Sequence, residues 1–207
     1  MTLAVERFQA FTPQHFVLIG IFLTGAVVLT LVGRSQRRSG TGHRFARVLA
    51  VVVVCVTVPA QLYQLAPWDF SVGSSLPLAL CDVGVIVAAS ACWWRVPLLV
   101  ELTYFWGLAG TLQAVITPDL QVGFPHLMFF EYLVGHLGIV LAAVFLVVGR
   151  RLTPRPSAVP RVFAITAVYT AFVGFVDAVT GANYMSCVIR LASGTCYGCS
   201  GPGPGMS

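Results

Sequence analysis

Six apolar segments, each near the length of one membrane span, dominate this sequence. A helix needs about 20 apolar residues to cross the hydrocarbon core of a bilayer. Segments that reach or approach this length occupy residues 15–33, 45–62, 76–94, 96–116, 132–149 and 161–179. Charged residues make up only 9% of the chain, against about 25% in soluble domains, so one globular core could not bury this much apolar surface. The sequence therefore predicts an all-α, polytopic membrane bundle with six transmembrane helices in a single domain, residues 1–185.

The arginines fall in alternate loops, and this alternation predicts the orientation of the chain. All 12 basic residues are arginines. The first, third and fifth loops carry most of them: Arg34, Arg37, Arg38, Arg44 and Arg47, then Arg95, then Arg150, Arg151, Arg155 and Arg161. The second and fourth loops carry carboxylates instead: Asp69, then Asp119 and Glu131. Because basic loops stay cytoplasmic, we expect a multi-pass protein of the cell membrane with both termini outside. The same placement accounts for the net charge of +5 without a nucleic-acid partner.

Polar side chains inside the predicted helices gather near their outer ends. Cys81 and Asp82 lie one to two turns into the third segment, and His136 lies about one turn into the fifth. Gln113 and Asp177 lie near the outer ends of the fourth and sixth segments. A carboxylate in a membrane span is costly and is a candidate for function. We interpret the common depth of these groups as one pocket that opens to the outer water or to the lipids of the outer leaflet.

Each of these groups has a simple structural interpretation as well as a catalytic one. Cys81 could be a small packing residue, His136 an interfacial hydrogen-bonding group and Asp82 a link to a neighbouring helix. The catalytic interpretation makes the Cys81 thiol a nucleophile and His136 its base, since a nearby imidazole eases formation of the thiolate. The helices contain no closely spaced set of metal ligands, so we predict neither a metal site nor a cofactor.

A set of short motifs resembles a known membrane-protein family. The motifs are LPLALCDV at 76–83, YFWGLAGTLQA at 104–114, TPDL at 117–120, FPH at 124–126, GH at 135–136 and TGANYM at 180–185. Together they resemble the YwaF-type family of bacterial integral membrane proteins. That family is similar in turn to the vertebrate transmembrane protein one-six-four, an acyltransferase that remodels ether phospholipids.

The resemblance implies a chemistry for the polar cluster. The proposed catalytic Cys and His of the vertebrate relatives fall on Cys81 and His136. The implied function is a thiol-dependent lipid acyltransferase at the outer leaflet, with Asp82, Gln113 and Asp177 as supporting or binding groups. One departure is that Ala79 stands where the family usually has a His. The alternative is a non-enzymatic membrane protein that binds or transports a small molecule through the same groups.

The last residues, 186–207, differ in character from the rest of the chain. They contain Cys187, Cys196 and Cys199 and end in the Gly/Pro-dense run GPGPGMS. The Cys196/Cys199 spacing occurs in redox and zinc motifs, but a single such pair is weak evidence for either. Read one base out of register, codons for this run can encode Gly-Pro-Trp-Pro-Trp, a segment that the resemblance implies before a further helix. We therefore expect a tail outside the family domain, disordered or out of frame after residue 185, with a seventh helix lost.

Overall fold

A computed structural model describes residues 8, 10–39, 42–67, 70–72, 75–118, 120 and 123–184. These residues form helices and connecting turns, with no strand among them. The helices are α1 (Pro13–Ser39), α2 (Gly42–Gln64), α3 (Leu80–Trp94), α4 (Pro97–Phe105), α5 (Leu112–Ile116), α6 (Leu127–Val144) and α7 (Ala158–Thr180). A π-helical segment, π1 (Trp106–Thr111), joins α4 to α5, and a second, π2 (Phe145–Gly149), continues α6. The tail with Cys187, Cys196 and Cys199, and the carboxylates Asp69 and Asp119, lie outside the described residues.

Five helical stretches of the described chain are long and apolar enough to cross a membrane: Pro13–Arg37, Arg44–Gln64, Pro97–Ile116, Leu127–Gly149 and Ala158–Thr180. The third predicted segment is also a helix, but α3 has only 15 residues. At 1.5 Å per residue it spans roughly 22 Å, which is shorter than a hydrocarbon core of about 30 Å. The all-helical membrane fold is confirmed, whereas the count of six full spans is not.

The start of α3 explains why this helix is short. The third segment was predicted from residue 76, with Pro77 in its first turn, but this start is wrong, because the chain is still non-helical at Pro77 and Ala79 has the extended angles φ −65° and ψ 147°. Asp82 then accepts a hydrogen bond from the backbone N–H of Ala79, with 3.2 Å between N and Oδ2. A carboxylate in the first helical turn pairs with an otherwise unsatisfied N–H and opposes the helix dipole. The polar residue that marks the candidate site therefore also sets the beginning of its helix.

The link from α3 to α4 is as short as the sequence predicts. Only Arg95 and Val96 separate the two helices, and Arg95 takes the left-handed conformation (φ 56°) that ends α3. Pro97 occupies the first turn of α4, where a missing N–H costs little. The two helices pack against each other as an antiparallel hairpin.

The packed centre of the bundle lies along α6 and π2. Ile139, Phe145 and Leu146 have no exposed surface, and 56% of the α6–π2 span is buried against 17% for each of the spans of α1 and α7. At two helix crossings, α2 with α6 and α1 with π2, a glycine lets the helices approach closely. A Cβ on Gly138 would lie 2.8 Å from a methyl group of Val53, and a Cβ on Gly33 would lie 2.7 Å from the Cα of Gly149. Small residues thus bring α2 and α1 against the central helix.

Glu101 ties α4 to the chain before and within α7. Its side chain is 1% exposed and accepts from Nε and Nη2 of Arg155, at 2.7 and 3.0 Å, and from Nη1 of Arg161 at 3.1 Å. The backbone N–H of Arg155 adds a fourth bond at 3.2 Å. This carboxylate, which the sequence places away from the polar groups near Cys81, is paired on both oxygens.

Candidate functional site

Asp82 joins the first turn of α3 to the last turn of α2. Its Oδ1 accepts a hydrogen bond from Nε2 of Gln61 at 3.0 Å, while its Oδ2 takes the bond from Ala79. The interpretation of Asp82 as a link to a neighbouring helix thus describes its contacts. The carboxylate remains beside Cys81, so the link does not exclude a second role in chemistry at the thiol.

Cys81 is half-buried and lies near polar side chains of its own helix and of two other helical elements, π1 and α6. Its thiol lies within interaction range of the Thr111 hydroxyl and of the carboxylates of Asp82 and Glu131. Thr111 is 3% exposed and donates to the carbonyl of Trp106 at 3.1 Å, which leaves its oxygen lone pairs for another donor. We call the set Gln61, Cys81, Asp82, Thr111 and Glu131 the thiol cluster.

Glu131, like Gln61 and Thr111, is a member of the thiol cluster that was not predicted as a site residue. The sequence places it in a loop, but α6 begins at Leu127 and takes Glu131 into its second turn. It lies one turn before Gly135, where a Cβ would be 4.0 Å from Oε1 of Glu131, 3.6 Å from Thr57 and 3.8 Å from Val85. The absence of a side chain at Gly135 lets α2 and α3 approach this face. The i, i+4 spacing of Glu131 and Gly135 is the signal that could have found it.

His136 lies on the adjacent face of α6. Its Nδ1 is 2.8 Å from the carbonyl oxygen of Tyr132, and the two rings stack with centroids 4.0 Å apart. Because a carbonyl only accepts, Nδ1 carries the hydrogen of this bond, and Nε2 of the neutral ring then has a free lone pair. This tautomer is the one that a general base needs.

The His136 ring borders a partly open apolar cavity of ≈ 30 Å³. Its other polar lining groups are His15 and Tyr132. His15 accepts from the N–H of Phe11 and donates to the carbonyl of Val115, both at 3.0 Å. This cavity volume is sufficient for roughly two water molecules.

The thiol cluster and the cavity lie on neighbouring faces of α6. Glu131 and Gly135 form one column of side-chain positions, while Tyr132 and His136 form the next, about 100° around the helix. Among the described residues that line the cavity, His136 is present and Cys81 is not. The pairing of Cys81 with His136 therefore remains a prediction, and Glu131 is the group on α6 that lies near the thiol.

The two remaining predicted site residues take different positions. Gln113 is exposed, and its side-chain amide donates to the hydroxyl of Thr117 at 2.9 Å. Asp177, predicted near the outer end of the sixth segment, is 2% exposed. Its Oδ1 accepts from the N–H of Tyr184 at 3.1 Å, and its Oδ2 is buried with no hydrogen-bond partner in the described part of the chain. Binding roles for Gln113 and Asp177 remain predictions.

Tyr184 connects Asp177 to the chain that leads into α3. Its hydroxyl accepts from the N–H of Leu76 at 3.2 Å and donates to the carbonyl of Val72. Tyr169 on α7 adds a bond from its hydroxyl to the carbonyl of Leu78 at 2.8 Å. The end of α7 therefore positions the segment that precedes Cys81, and this is the contribution of Asp177 that its contacts describe.

The sequence matches one known family over most of its length. Residues 10–194 match the model of the TMEM164 family. Neither a curated protein nor a solved structure matches the chain. The match supports the relationship to the transmembrane protein one-six-four, while the narrower YwaF-type assignment remains a prediction. Since the matched region covers far more than half of the 207 residues, this chain is a membrane protein that belongs to the TMEM164 family.

Proposed function

We propose that this protein transfers acyl groups between lipids through a thioester on Cys81. The observation that carries the proposal is the position of the thiol. Cys81 lies in the first turn of α3, where backbone N–H groups point outward, and its thiol lies within interaction range of Thr111 in π1 and of Glu131 in α6. A helix N-terminus favours a thiolate, while the negative charges of Asp82 and Glu131 oppose it. Polar groups among apolar helices can receive the ester group of a lipid.

The proposed reaction has two balanced steps. In the first, Sγ of Cys81 attacks the carbonyl carbon of a lipid ester, and the base takes the thiol proton and returns it to the departing lipid alkoxide. This forms a thioester and a lysolipid. In the second, the base removes the proton of an acceptor hydroxyl, the new oxygen–carbon bond forms, and the C–S bond breaks. The sulfur leaves as a thiolate and recovers its proton from the base.

Two residues are candidates for the base. His136 is the residue that the family resemblance implies, and its Nδ1–H bond to Tyr132 leaves Nε2 able to accept a proton. Glu131 is the group that lies near the thiol in this structure. Action by His136 requires its ring to turn from the cavity toward α3, which lies against the neighbouring face of α6. We assign the base to His136 and treat Glu131 as the alternative.

A lipid-like thiol-reactive probe tests the proposal on the full chain in detergent micelles. We expect a long-chain acylating probe to label Cys81, Cys81→Ser to abolish that label, and His136→Ala to slow it at least tenfold. Cys55→Ser is the matched control, since Cys55 is an exposed thiol elsewhere in the bundle and its removal should leave the Cys81 signal unchanged. If Glu131→Gln slows the labelling of Cys81 and His136→Ala does not, the role of the base is assigned to Glu131 instead. Folded protein whose Cys81 never reacts would contradict the proposal.

A second function has one observation in its favour. Two carboxylates, Asp82 and Glu131, lie beside each other near Cys81, and the loops at that end of the helices contain no arginine. Such a pair suits a cationic headgroup, so the same cluster would hold an ammonium-bearing molecule without reacting with it. Two results together would favour this function. The molecule should bind reversibly and salt-sensitively, also in Cys81→Ser, and the Cys81 thiol should not react with the probe.

A further inference from the structure

The end of the bundle opposite the thiol cluster holds most of the positive charge. The arginines there are Arg34, Arg37, Arg38, Arg44, Arg47, Arg95, Arg150, Arg151, Arg155 and Arg161. Of the chain's 7 acidic residues, Glu101 is the one in the helices at this end, and its two oxygens are taken by Arg155 and Arg161. Of the others, Asp82, Glu131 and Asp177 lie in helices near the opposite end, while Glu6, Asp69 and Asp119 lie outside the described residues. The remaining arginines at this end therefore outnumber the carboxylates that the structure describes there.

Three of these arginines lie within range of charge interaction at the end of the bundle where α2, α3 and π2 share one packed cluster. Arg95 lies in the left-handed turn that ends α3, and Arg47 in α2 places its guanidinium 5.1 Å from the ring of Trp93. Burial, and then the charges of Arg150 and Arg47, lower the pKa of Arg95 from its usual value. Like charges this close repel one another, which is a standing cost unless an anion lies between them.

Arg150 supplies a second, independent observation. Its Nη1 is buried and has no hydrogen-bond partner among the described residues. A guanidinium nitrogen removed from water without an acceptor is costly, and it points to an acceptor that this described part of the chain does not supply. The backbone at Arg150 is held by the bond from its N–H to the carbonyl of Phe145 at 2.8 Å and by the packing of π2 directly on Gly33.

We propose that Arg47, Arg95 and Arg150 bind the phosphate of an anionic lipid headgroup. Guanidinium groups form paired N–H bonds to phosphate oxygens, so three of them around one phosphate would satisfy Nη1 of Arg150 and remove the mutual repulsion. The site lies at the end of the membrane-spanning helices, where headgroups are found. Trp93 and Trp94 beside it are 39% and 65% exposed, as expected of tryptophans at a membrane interface. A lipid source is therefore favoured over a free anion.

This site is separate from the proposed acyl-transfer site. Cys81 begins α3 and Arg95 ends it, so the two lie at opposite ends of a 15-residue helix, roughly 20 Å apart along its axis. A lipid held at Arg95 is thus not the substrate of Cys81. It would instead neutralise the charged end of α2, α3 and α6 and hold these helices together.

Lipid binding to the purified full chain tests the proposal. The delipidated protein is titrated with phosphatidylglycerol and with phosphatidylcholine of the same acyl chains, and bound lipid is counted by native mass spectrometry. We expect phosphatidylglycerol to bind at least tenfold more tightly. Arg95→Gln combined with Arg150→Gln should weaken its binding about tenfold or more, since each basic residue near a charged membrane surface contributes about one factor of five.

Arg44→Gln is the matched control, because Arg44 is an exposed arginine one turn before Arg47 on the same helix. It should change the affinity less than twofold. Arg47→Gln alone should weaken binding about fivefold and keeps the proposal testable if the double variant fails to fold. Equal affinity for the two lipids, or equal losses in Arg44→Gln and Arg47→Gln, would overturn it. Inorganic phosphate that displaces the lipid at comparable concentration would overturn the lipid assignment.

Discussion

Gln61 and Asp82 form a hydrogen bond across the interface of α2 and α3, with 3.0 Å between Nε2 and Oδ1. The same carboxylate pairs the N–H of Ala79 at the start of α3. One side chain therefore sets a helix boundary, connects two helices and borders the thiol that the proposed chemistry uses. Its two roles, structural and chemical, can be separated by experiment.

Asp82→Ala should lower the free energy of unfolding by about 1–2 kcal/mol, because it removes a helix cap and an interhelical bond. Gln61→Ala removes only the second and should cost about 0.6 kcal/mol. Both values are measured by denaturant unfolding in micelles. In the double variant the two losses should not add, since both changes delete the same bond. Fully additive losses would show that the bond contributes nothing to stability.

Gly138→Ala should lower the free energy of unfolding by about 1–3 kcal/mol, because the new methyl group would lie 2.8 Å from Val53 and push α2 away from α6. Gly20→Ala is the control, since no atom lies within 4 Å of the position of its Cβ. It should be neutral or stabilise α1 by about 0.5–1 kcal/mol. Val53→Ala should recover part of the loss in Gly138→Ala. If the two glycine variants unfold alike, close packing at Gly138 is not the reason for its presence.

Removing both arginines that contact Glu101 should destabilise the protein more than removing Glu101 itself. Arg155→Gln with Arg161→Gln leaves a carboxylate that is 1% exposed without a cation, whereas Glu101→Gln leaves two arginines whose side chains are 46% and 36% exposed and can turn to water. Thermal unfolding of the three proteins checks this order. The reverse order would mean that the arginines, and not the carboxylate, bear the desolvation cost.

Tyr184→Phe should make Cys81 react faster with a small maleimide, by roughly two- to tenfold. The change removes the hydroxyl that bonds to Leu76 and Val72, so the segment before α3 opens more often. Tyr63→Phe is the control, because Tyr63 is 51% exposed and lies in the last turn of α2. An unchanged rate in Tyr184→Phe would show that access to the thiol does not pass through this segment.

The spans could be predicted closely from the sequence because lipid imposes a length and an apolar composition on any helix that crosses it. The helix of the second segment was expected at 45–62 and is Gly42–Gln64, and the link at Arg95 and Val96 is as short as expected. The shortening of α3 could not be predicted in the same way. It depends on the hydrogen bond from the N–H of Ala79 to the Asp82 carboxylate, which sets the start of the helix. Hydropathy does not report such a side-chain bond.

The candidate site was predicted less well than the fold. Cys81 and Asp82 were singled out from the sequence, and in the structure Gln61, Thr111 and Glu131 join them from other helical elements. His136 was grouped with Cys81 and Asp82 because it lies at a similar depth in the membrane. Depth, however, does not indicate which face of α6 a residue occupies. Gln113 is at a suitable depth as well, and it is exposed.

By itself the sequence determined that this chain is a helical membrane protein, because 57% hydrophobic residues in runs of span length leave no other way to satisfy the backbone. The tertiary structure alone decided which polar groups meet. Gly135 brings α2 and α3 against the face of α6 that carries Glu131, and the stacking of His136 on Tyr132 turns the imidazole toward the next face. The reason is geometric: one residue along a helix is a rotation of about 100°, so neighbours in sequence can serve different sites.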